Sequence, residues 1–282
     1  MATNRDDVLV SVDWLADRLR APDVVPVDAT WHLPTTGRLA AEEYLAGHIP
    51  GAVFFDIDGI TDQASGLPHM LPPPEVFSSR MRRLGIGDGQ TVVVYDAYGL
   101  FSAPRAWWTF KVMGVKDVKI LDGGLPAWVA EGHMLAEGPT RRTERHFTAR
   151  MDHTAVRDFA AVKAALDGGT AQVVDARPAG RFRGDDPEPR PGLKAGHMPG
   201  AVNLPFGELV EDGRLKDPAA IRAAFAARGV DLDKPVITTC GSGVTAAMLT
   251  LALETVGART VTLYDGSWAE WGGREDAPVE KG

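Results

Sequence analysis

The chain is predicted to be an α/β protein built from two similar domains, each a mainly parallel sheet with helices on both faces. Two observations predict this. Short apolar, β-branched runs alternate with helical patterns of ten or more residues, the order that places crossover helices between parallel strands. The chain also repeats itself. Gly47-His48-Ile49-Pro50-Gly51-Ala52-Val53-Phe54 returns as Gly196-His197-Met198-Pro199-Gly200-Ala201-Val202-Asn203, with the two histidines 149 residues apart. Val27-Asp28-Ala29 returns as Val174-Asp175-Ala176, and Asp122-Gly123-Gly124 as Asp265-Gly266-Ser267, at offsets of 147 and 143 residues. Near-constant spacing over three motifs points to a tandem duplication. The expected division is a first domain over 1–140, a linker over 141–153 and a second domain over 154–282, each domain with its own core.

Taken in order, each half is expected to open with a helix (10–20; 155–166), followed by an apolar strand ending in aspartate (24–28; 172–175). A loop then leads to the Gly-His-x-Pro-Gly-Ala-Val motif, a helix (74–84; 219–227) and a second buried strand (91–95; 235–239). A last strand (119–121; 260–264) and an Asp-Gly turn close each half. The Trp residues 107, 108, 128, 268 and 271 are expected as core and interface anchors, with Trp268 and Trp271 also placed to line a cleft.

Composition limits the function classes. A formal net charge of −8 with no evident basic face argues against a nucleic-acid partner. The densest basic stretch, Arg141-Arg142-Thr143-Glu144-Arg145-His146, is interrupted by an acid and is expected to be a solvated linker. The first residues lack the apolar core of a secretory signal, and no run is long enough to cross a bilayer, so a cytoplasmic protein without a membrane partner is expected. One cysteine excludes an internal disulfide, and any second thiol must come from another molecule. The seven histidines show no metal-ligand spacing, and no metal or cofactor is expected.

That cysteine lies in Pro235-Val236-Ile237-Thr238-Thr239-Cys240-Gly241-Ser242-Gly243-Val244-Thr245-Ala246-Ala247. The run to Thr239 reads as a buried strand, Gly241 and Gly243 as a tight turn, and 244–256 as an apolar helix closed by Gly257. A lone intracellular cysteine is usually a small buried hydrophobe. Here the two glycines open the backbone for close approach, and unpaired N–H groups at the helix start favour a negative charge. Cys240 is therefore expected to lean towards thiolate and act as a nucleophile. In the first half the same place is taken by Thr91-Val92-Val93-Val94-Tyr95-Asp96, with Asp96 standing 144 residues before Cys240. An acid cannot carry a transferable sulfur, so the first half reads as a non-catalytic copy that supplies a wall of the cleft.

Cys-Gly-Ser-Gly-Val-Thr-Ala resembles the active-site loop of the mercaptopyruvate sulfurtransferases, two-domain members of the rhodanese family, and the resemblance covers nearly the whole chain. It implies tandem rhodanese-like domains and sulfur transfer through a persulfide on Cys240, with pyruvate released. The loop residues Gly241, Gly243, Val244 and Thr245 are expected to meet the substrate. Thiosulfate-using relatives usually carry basic side chains in mid-loop, whereas the neutral Gly241-Ser242 here suits a singly charged donor.

Two further segments carry expectations. The Pro/Gly-rich stretch 176–190 is too long for a plain connection and reads as a functional loop. Guanidinium forks hold carboxylates bidentately, and pairing with Asp185, Asp186 or Glu188 is the alternative for each arginine. The resemblance implies that Arg181 and Arg190 bind the substrate carboxylate and carbonyl. Arg177 and Arg183 are weaker candidates, Arg177 being as readily a structural partner. In the first half, Phe54-Phe55-Asp56-Ile57-Asp58 and Leu67-Pro68-His69-Met70-Leu71-Pro72 match the family segment whose Asp and His are proposed to relay protons with the loop serine. This carries over to Asp58, His69 and Ser242. A histidine there can act as a base near neutral pH, or serve as a hydrogen-bonded wall. His48 and His197 occur in both halves and are expected to serve the fold.

The expected partners are a small-molecule sulfur donor and a thiol acceptor such as thioredoxin or a low-molecular-weight thiol. Rival readings are thiosulfate:cyanide transfer, which needs only a different loop charge, and a non-enzymatic persulfide carrier or redox-sensing module, for which a two-arginine clamp is unneeded. A cysteine phosphatase requires an arginine six residues past the cysteine, and position 246 is alanine.

Overall fold

The computed structural model describes residues 5–282. Twelve short strands are present: β1 Leu9–Val10, β2 Val24–Asp28, β3 Val53–Phe54, β4 Thr91–Tyr95, β5 Val118–Leu121, β6 Val156–Arg157, β7 Gln172–Asp175, β8 Val202–Asn203, β9 Val210–Glu211, β10 Arg214–Leu215, β11 Val236–Thr239 and β12 Val261–Tyr264. They form two five-stranded parallel sheets, ordered β1-β5-β4-β2-β3 and β6-β12-β11-β7-β8, plus the antiparallel hairpin β9-β10. Once the hairpin is set aside, the second order repeats the first strand for strand. This is the topology that the duplicated motifs predict.

Registers repeat as well. Asp28 lies opposite Tyr95, and Asp175 opposite Thr239. Each second strand thus ends its aspartate beside the residue before Asp96 or Cys240, so the two critical positions occupy equivalent sites at the strand C-termini. Strands β4 and β11 lie in the interior of their sheets and are almost wholly buried, which their continuous Val, Ile and Thr content allows. The repeated histidines serve the fold in both halves. His48 bonds the Tyr44 carbonyl through Nδ1 at 2.8 Å and stacks on Tyr44, while His197 bonds the Phe182 carbonyl at 2.9 Å and stacks on Phe182.

Several boundaries differ from expectation. The helix expected over 10–20 is the strand β1 followed by the helix Val12–Ala16, and 155–166 divides into β6 and the helix Phe159–Gly168. Two-residue edge strands carry no periodicity of their own and exist because β5 and β12 offer a free edge. The helix expected from Val244 begins two residues later, as Ala246–Thr255.

The core also departs from the expected pair of separate interiors. One cluster runs through both halves, from Val94 and Trp107 to Cys240 and Leu249, with smaller clusters on the outer face of each sheet. The cause lies in two helices, Ala103–Val112 and Ala246–Thr255, which are apolar nearly all round and pack on each other. A helix that is apolar on nearly every side must be covered on nearly every side, and here each of the two helices covers the other. Lys111 crosses this junction to pair with Glu254 and lies over the Trp107 ring. The basic stretch 141–146 has no regular structure, but it is not a free linker. It runs against Gly85 and Gly87, and it leads into the buried Phe147, whose carbonyl accepts from Arg82.

Candidate active site

Cys240 follows β11 directly and is buried. Its N–H donates to Ser267 Oγ at 3.3 Å, and its carbonyl accepts from Trp268 N at 2.9 Å. Ser267 is itself held in the left-handed region (φ 49°) and donates to the Tyr264 carbonyl at 2.8 Å. The turn after β12 thereby fixes the backbone at the cysteine from below. Among the described residues, none of the N–H groups from Gly241 to Ala247 has a protein acceptor. These orphans belong chiefly to the loop, since the helix starts six residues beyond the cysteine. Unpaired N–H groups next to a thiol form a ready cradle for a sulfur anion.

The first half contributes more than a wall. His69 lies in the left-handed region (φ 62°) and is buried. Its Nδ1 is 2.9 Å from Ser242 Oγ and its Nε2 2.9 Å from Asp58 Oδ1. A carboxylate only accepts when ionised, so Nε2 carries a proton, and in the neutral ring Nδ1 is then the acceptor for the serine hydroxyl. Asp58 also accepts from Trp31 Nε1 at 3.0 Å, and the Trp31 ring meets His69 edge-on at 5.0 Å. The hydrogen bond from His69 is the largest cause holding the Asp58 carboxyl below its ordinary range, against a smaller opposing effect of burial. The structure therefore brings Asp58, His69 and Ser242 into one chain, which sequence spacing alone could not establish.

The arginines of 176–190 divide into distinct roles. Arg177 is fully buried, grips Asp175 with Nε and Nη2 at 2.9 and 2.7 Å, reaches Glu188 at 2.8 Å and lies over the Trp268 ring. It is structural, and Trp268 beneath it is core. Trp268 and Trp271 are both buried, and the expectation that they line the cleft is corrected. Arg183 makes a surface pair with Asp185. Arg181 is bound to the other oxygen of Glu188 at 2.5 Å, and its Nη2 lies 3.0 Å from where a side chain on Gly241 would begin. A side chain at 241 would press on that guanidinium, so glycine lets it lie close over the loop. Arg190, half-buried, has no hydrogen-bond or ion-pair partner among the described residues. Burial pulls its pKa down, opposed first by the attraction of Cys240, and Arg181, Asp58 and Glu188 are also close enough to act on it.

The charges can be balanced. Asp175, Arg177, Glu188 and Arg181 form an alternating chain of two acids and two bases, which leaves Arg190 outside it, held only by the longer-range attraction of Cys240, Asp58 and Glu188. The site offers a run of unpaired N–H groups after Cys240, the hydrogen-bonded chain Asp58–His69–Ser242, and a guanidinium, Arg190, without an ion-pair contact among the described residues.

Sequence reasoning missed Trp31, Arg105 and Asp265 as members of this region. Arg105 was visible as the one charge in the apolar run Ala103–Phe110, and Asp265 as the repeat of Asp122.

A family description, "Rhodanese-like domain", matches residues 11–131 and again 158–274. The chain is 50% identical over 272 residues to the 3-mercaptopyruvate sulfurtransferase of Escherichia coli (strain K12), covering 96% of this chain and 97% of that protein. It is 44% identical over 271 residues to the thiosulfate sulfurtransferase of Bos taurus, covering 93% and 91%. Among solved structures, a 3-mercaptopyruvate sulfotransferase from Escherichia coli superposes with a TM-score of 0.87 at 47% identity, covering 92% of this chain and 98% of the other.

Proposed function

The chain belongs to the rhodanese family, with two rhodanese-like domains in tandem, and on that premise we propose that it is a 3-mercaptopyruvate sulfurtransferase working through a persulfide on Cys240. The thiolate of Cys240 attacks the sulfur of 3-mercaptopyruvate. The carbon–sulfur bond breaks, its electron pair passes into the carbonyl as the enolate of pyruvate, and the enolate takes a proton at its terminal carbon. The orphan N–H groups of 241–247 stabilise charge on the sulfur as an oxyanion hole stabilises oxygen. Arg190 and Arg181 receive the carboxylate and carbonyl, while neutral His69, oriented by Asp58, takes the proton of the substrate thiol through Ser242 and returns it by the same route to the enolate carbon. A thiol from another molecule, or cyanide in vitro, then removes the outer sulfur, so ping-pong kinetics are expected.

One observation carries the choice of donor. The loop facing the incoming sulfur is Gly241-Ser242, without a cation of its own, and Arg190, which has no ion-pair contact among the described residues, is partly balanced by Asp58. That balance fits one carboxylate better than dianionic thiosulfate. The similarity to the bovine thiosulfate enzyme keeps thiosulfate transfer as the second reading, because nucleophile and cradle would be the same. Among the described residues no helix is long and apolar enough to cross a membrane. A cytoplasmic location and a thioredoxin-like or small-thiol acceptor complete the proposal.

The test is intact-mass measurement after incubation with each donor. One added sulfur on Cys240, with pyruvate released in equal amount and no addition to Cys240→Ser, is the expected result. Faster loading by thiosulfate than by 3-mercaptopyruvate would reverse the assignment of donor.

A further inference from the structure

Arg105 lies on the helix Ala103–Val112 of the first half and is buried, with its guanidinium over the Trp108 ring. Its Nη2 donates to the His69 carbonyl, and its Nη1 reaches the Gly243 carbonyl at 3.4 Å and Asp265 Oδ1 at 2.7 Å. The second oxygen of Asp265 accepts from Leu71 N at 2.7 Å. One ion pair across the junction therefore brackets residues 69–71 from both sides and also touches the loop that carries Ser242.

We propose that Arg105, with Asp265, is a positioning pair that holds His69 in register with Ser242 across the junction of the two halves. The inference rests on the sulfurtransferase reading and adds to it a residue outside the chain of proton-moving groups.

Three observations support it. His69 and Gly243 both have left-handed backbones (φ 62° and 80°), and the Arg105 guanidinium contacts the carbonyl of each. A non-glycine residue in that region persists only where its surroundings hold it there. At Gly243 a side chain would begin 2.8 Å from Arg105 Nη1, so the loop and the guanidinium are fitted to each other.

Next, a buried ion pair is a poor device for stability, since desolvation offsets most of its attraction and apolar residues of like volume do as well. The junction is already closed by a continuous core. What the pair adds is direction: two carbonyls and one amide held at fixed points.

The repeat supplies a control. Asp122, the counterpart of Asp265, also meets an arginine of the other half, Arg214, at 3.3 Å. That pair is partly exposed and contacts neither His69 nor the 240–245 loop. Only the pair beside the cysteine is sealed from water and directed at backbone on both sides.

The experiment uses Arg105→Lys, Asp265→Asn and the apolar double variant Arg105→Met/Asp265→Leu, each confirmed folded by circular dichroism and thermal unfolding. Lysine keeps the charge but lacks the fork that reaches several acceptors. The expected result is a fall in kcat for pyruvate release on the order of 10- to 100-fold, as small misplacements of a catalytic group produce. KM changes little, and Cys240 is alkylated by iodoacetamide at the wild-type rate.

Combining Arg105→Lys with His69→Asn supplies a readout that a merely structural role would not give. If Arg105 acts through His69, the double variant is no slower than His69→Asn alone. Multiplying losses, or an unchanged kcat in folded Arg105→Lys, overturns the inference. A wild-type protein that releases no pyruvate overturns the sulfurtransferase reading itself. Should the apolar double variant not fold, Arg105→Lys and Asp265→Asn carry the same comparison.

Discussion

Asp96 and Cys240 stand at equivalent places in the two halves, and the carboxylate of Asp96 occupies the cradle that its own loop forms. Its Oδ1 accepts from Tyr98 N and its Oδ2 from Phe101, Ser102 and Ala103 N, all at 2.7–2.8 Å. The matching amides after Cys240 are unpaired. The duplicated loop thus displays in one copy what the other is built to do: it gathers main-chain donors around an anion. In the first half the anion is a side chain, and in the second the proposal makes it a sulfur that comes and goes.

Removing that carboxylate should therefore be costly in the half that lacks the cysteine. Asp96→Ala leaves four N–H groups without their acceptor, two of them fully buried, and a loss of about 3 kcal/mol is expected in denaturant unfolding. Cys240 should still be alkylated at native conditions in the protein that remains folded. Unchanged stability would mean that water replaces the carboxylate freely and that the cradle has little hold on an anion.

The two clamp arginines should not be equivalent. Arg190 is free to bind substrate, whereas Arg181 is already engaged by Glu188. Arg190→Ala is expected to raise KM for 3-mercaptopyruvate by on the order of 10- to 100-fold, the worth of a charge-assisted hydrogen bond. Arg181→Ala should raise it less. Steady-state kinetics on the two variants decide the order.

Glu188→Gln makes the charge argument for donor choice directly testable. It releases Arg181 while Arg177 keeps its grip on Asp175, adding one positive charge to the mouth. The ratio of kcat/KM for thiosulfate to that for 3-mercaptopyruvate should rise. A ratio that stays fixed would remove local charge as the determinant of specificity.

His69→Asn is expected to lower the rate of pyruvate release by about 10²- to 10⁴-fold, with Cys240 still reactive towards alkylation. Asp58→Asn should cost less, because it removes the orienting partner and not the base. It also has a signature in stability. The Asp58 carboxyl is held below its ordinary range, chiefly by the His69 hydrogen bond. Its contribution is present above the unfolded value of about 3.9 and is lost as pH falls through the lower folded value. Unfolding curves between pH 5 and 2 should therefore be flatter for Asp58→Asn than for wild type.

Much was legible in the sequence because it depends on local pattern. The β-branched runs, the crossover helices and the duplication specify two like sheets without any coordinate. The short run Cys240-Gly241-Ser242-Gly243 singled itself out as the candidate site, since a cysteine between a strand and a glycine turn lies beside backbone donors that no regular structure pairs. Tertiary structure alone decided the rest. Asp58, His69 and Arg105 are far from Ser242 and Asp265 in the chain, and they meet because two largely buried helices pack on each other and join the halves in one core. Which arginines are engaged also waited on folding: Arg177 takes one oxygen of Glu188, Arg181 spans both, and Arg190 is left without an ion-pair contact among the described residues. Sequence records which groups exist, whereas distance and burial determine which of them are already neutralised.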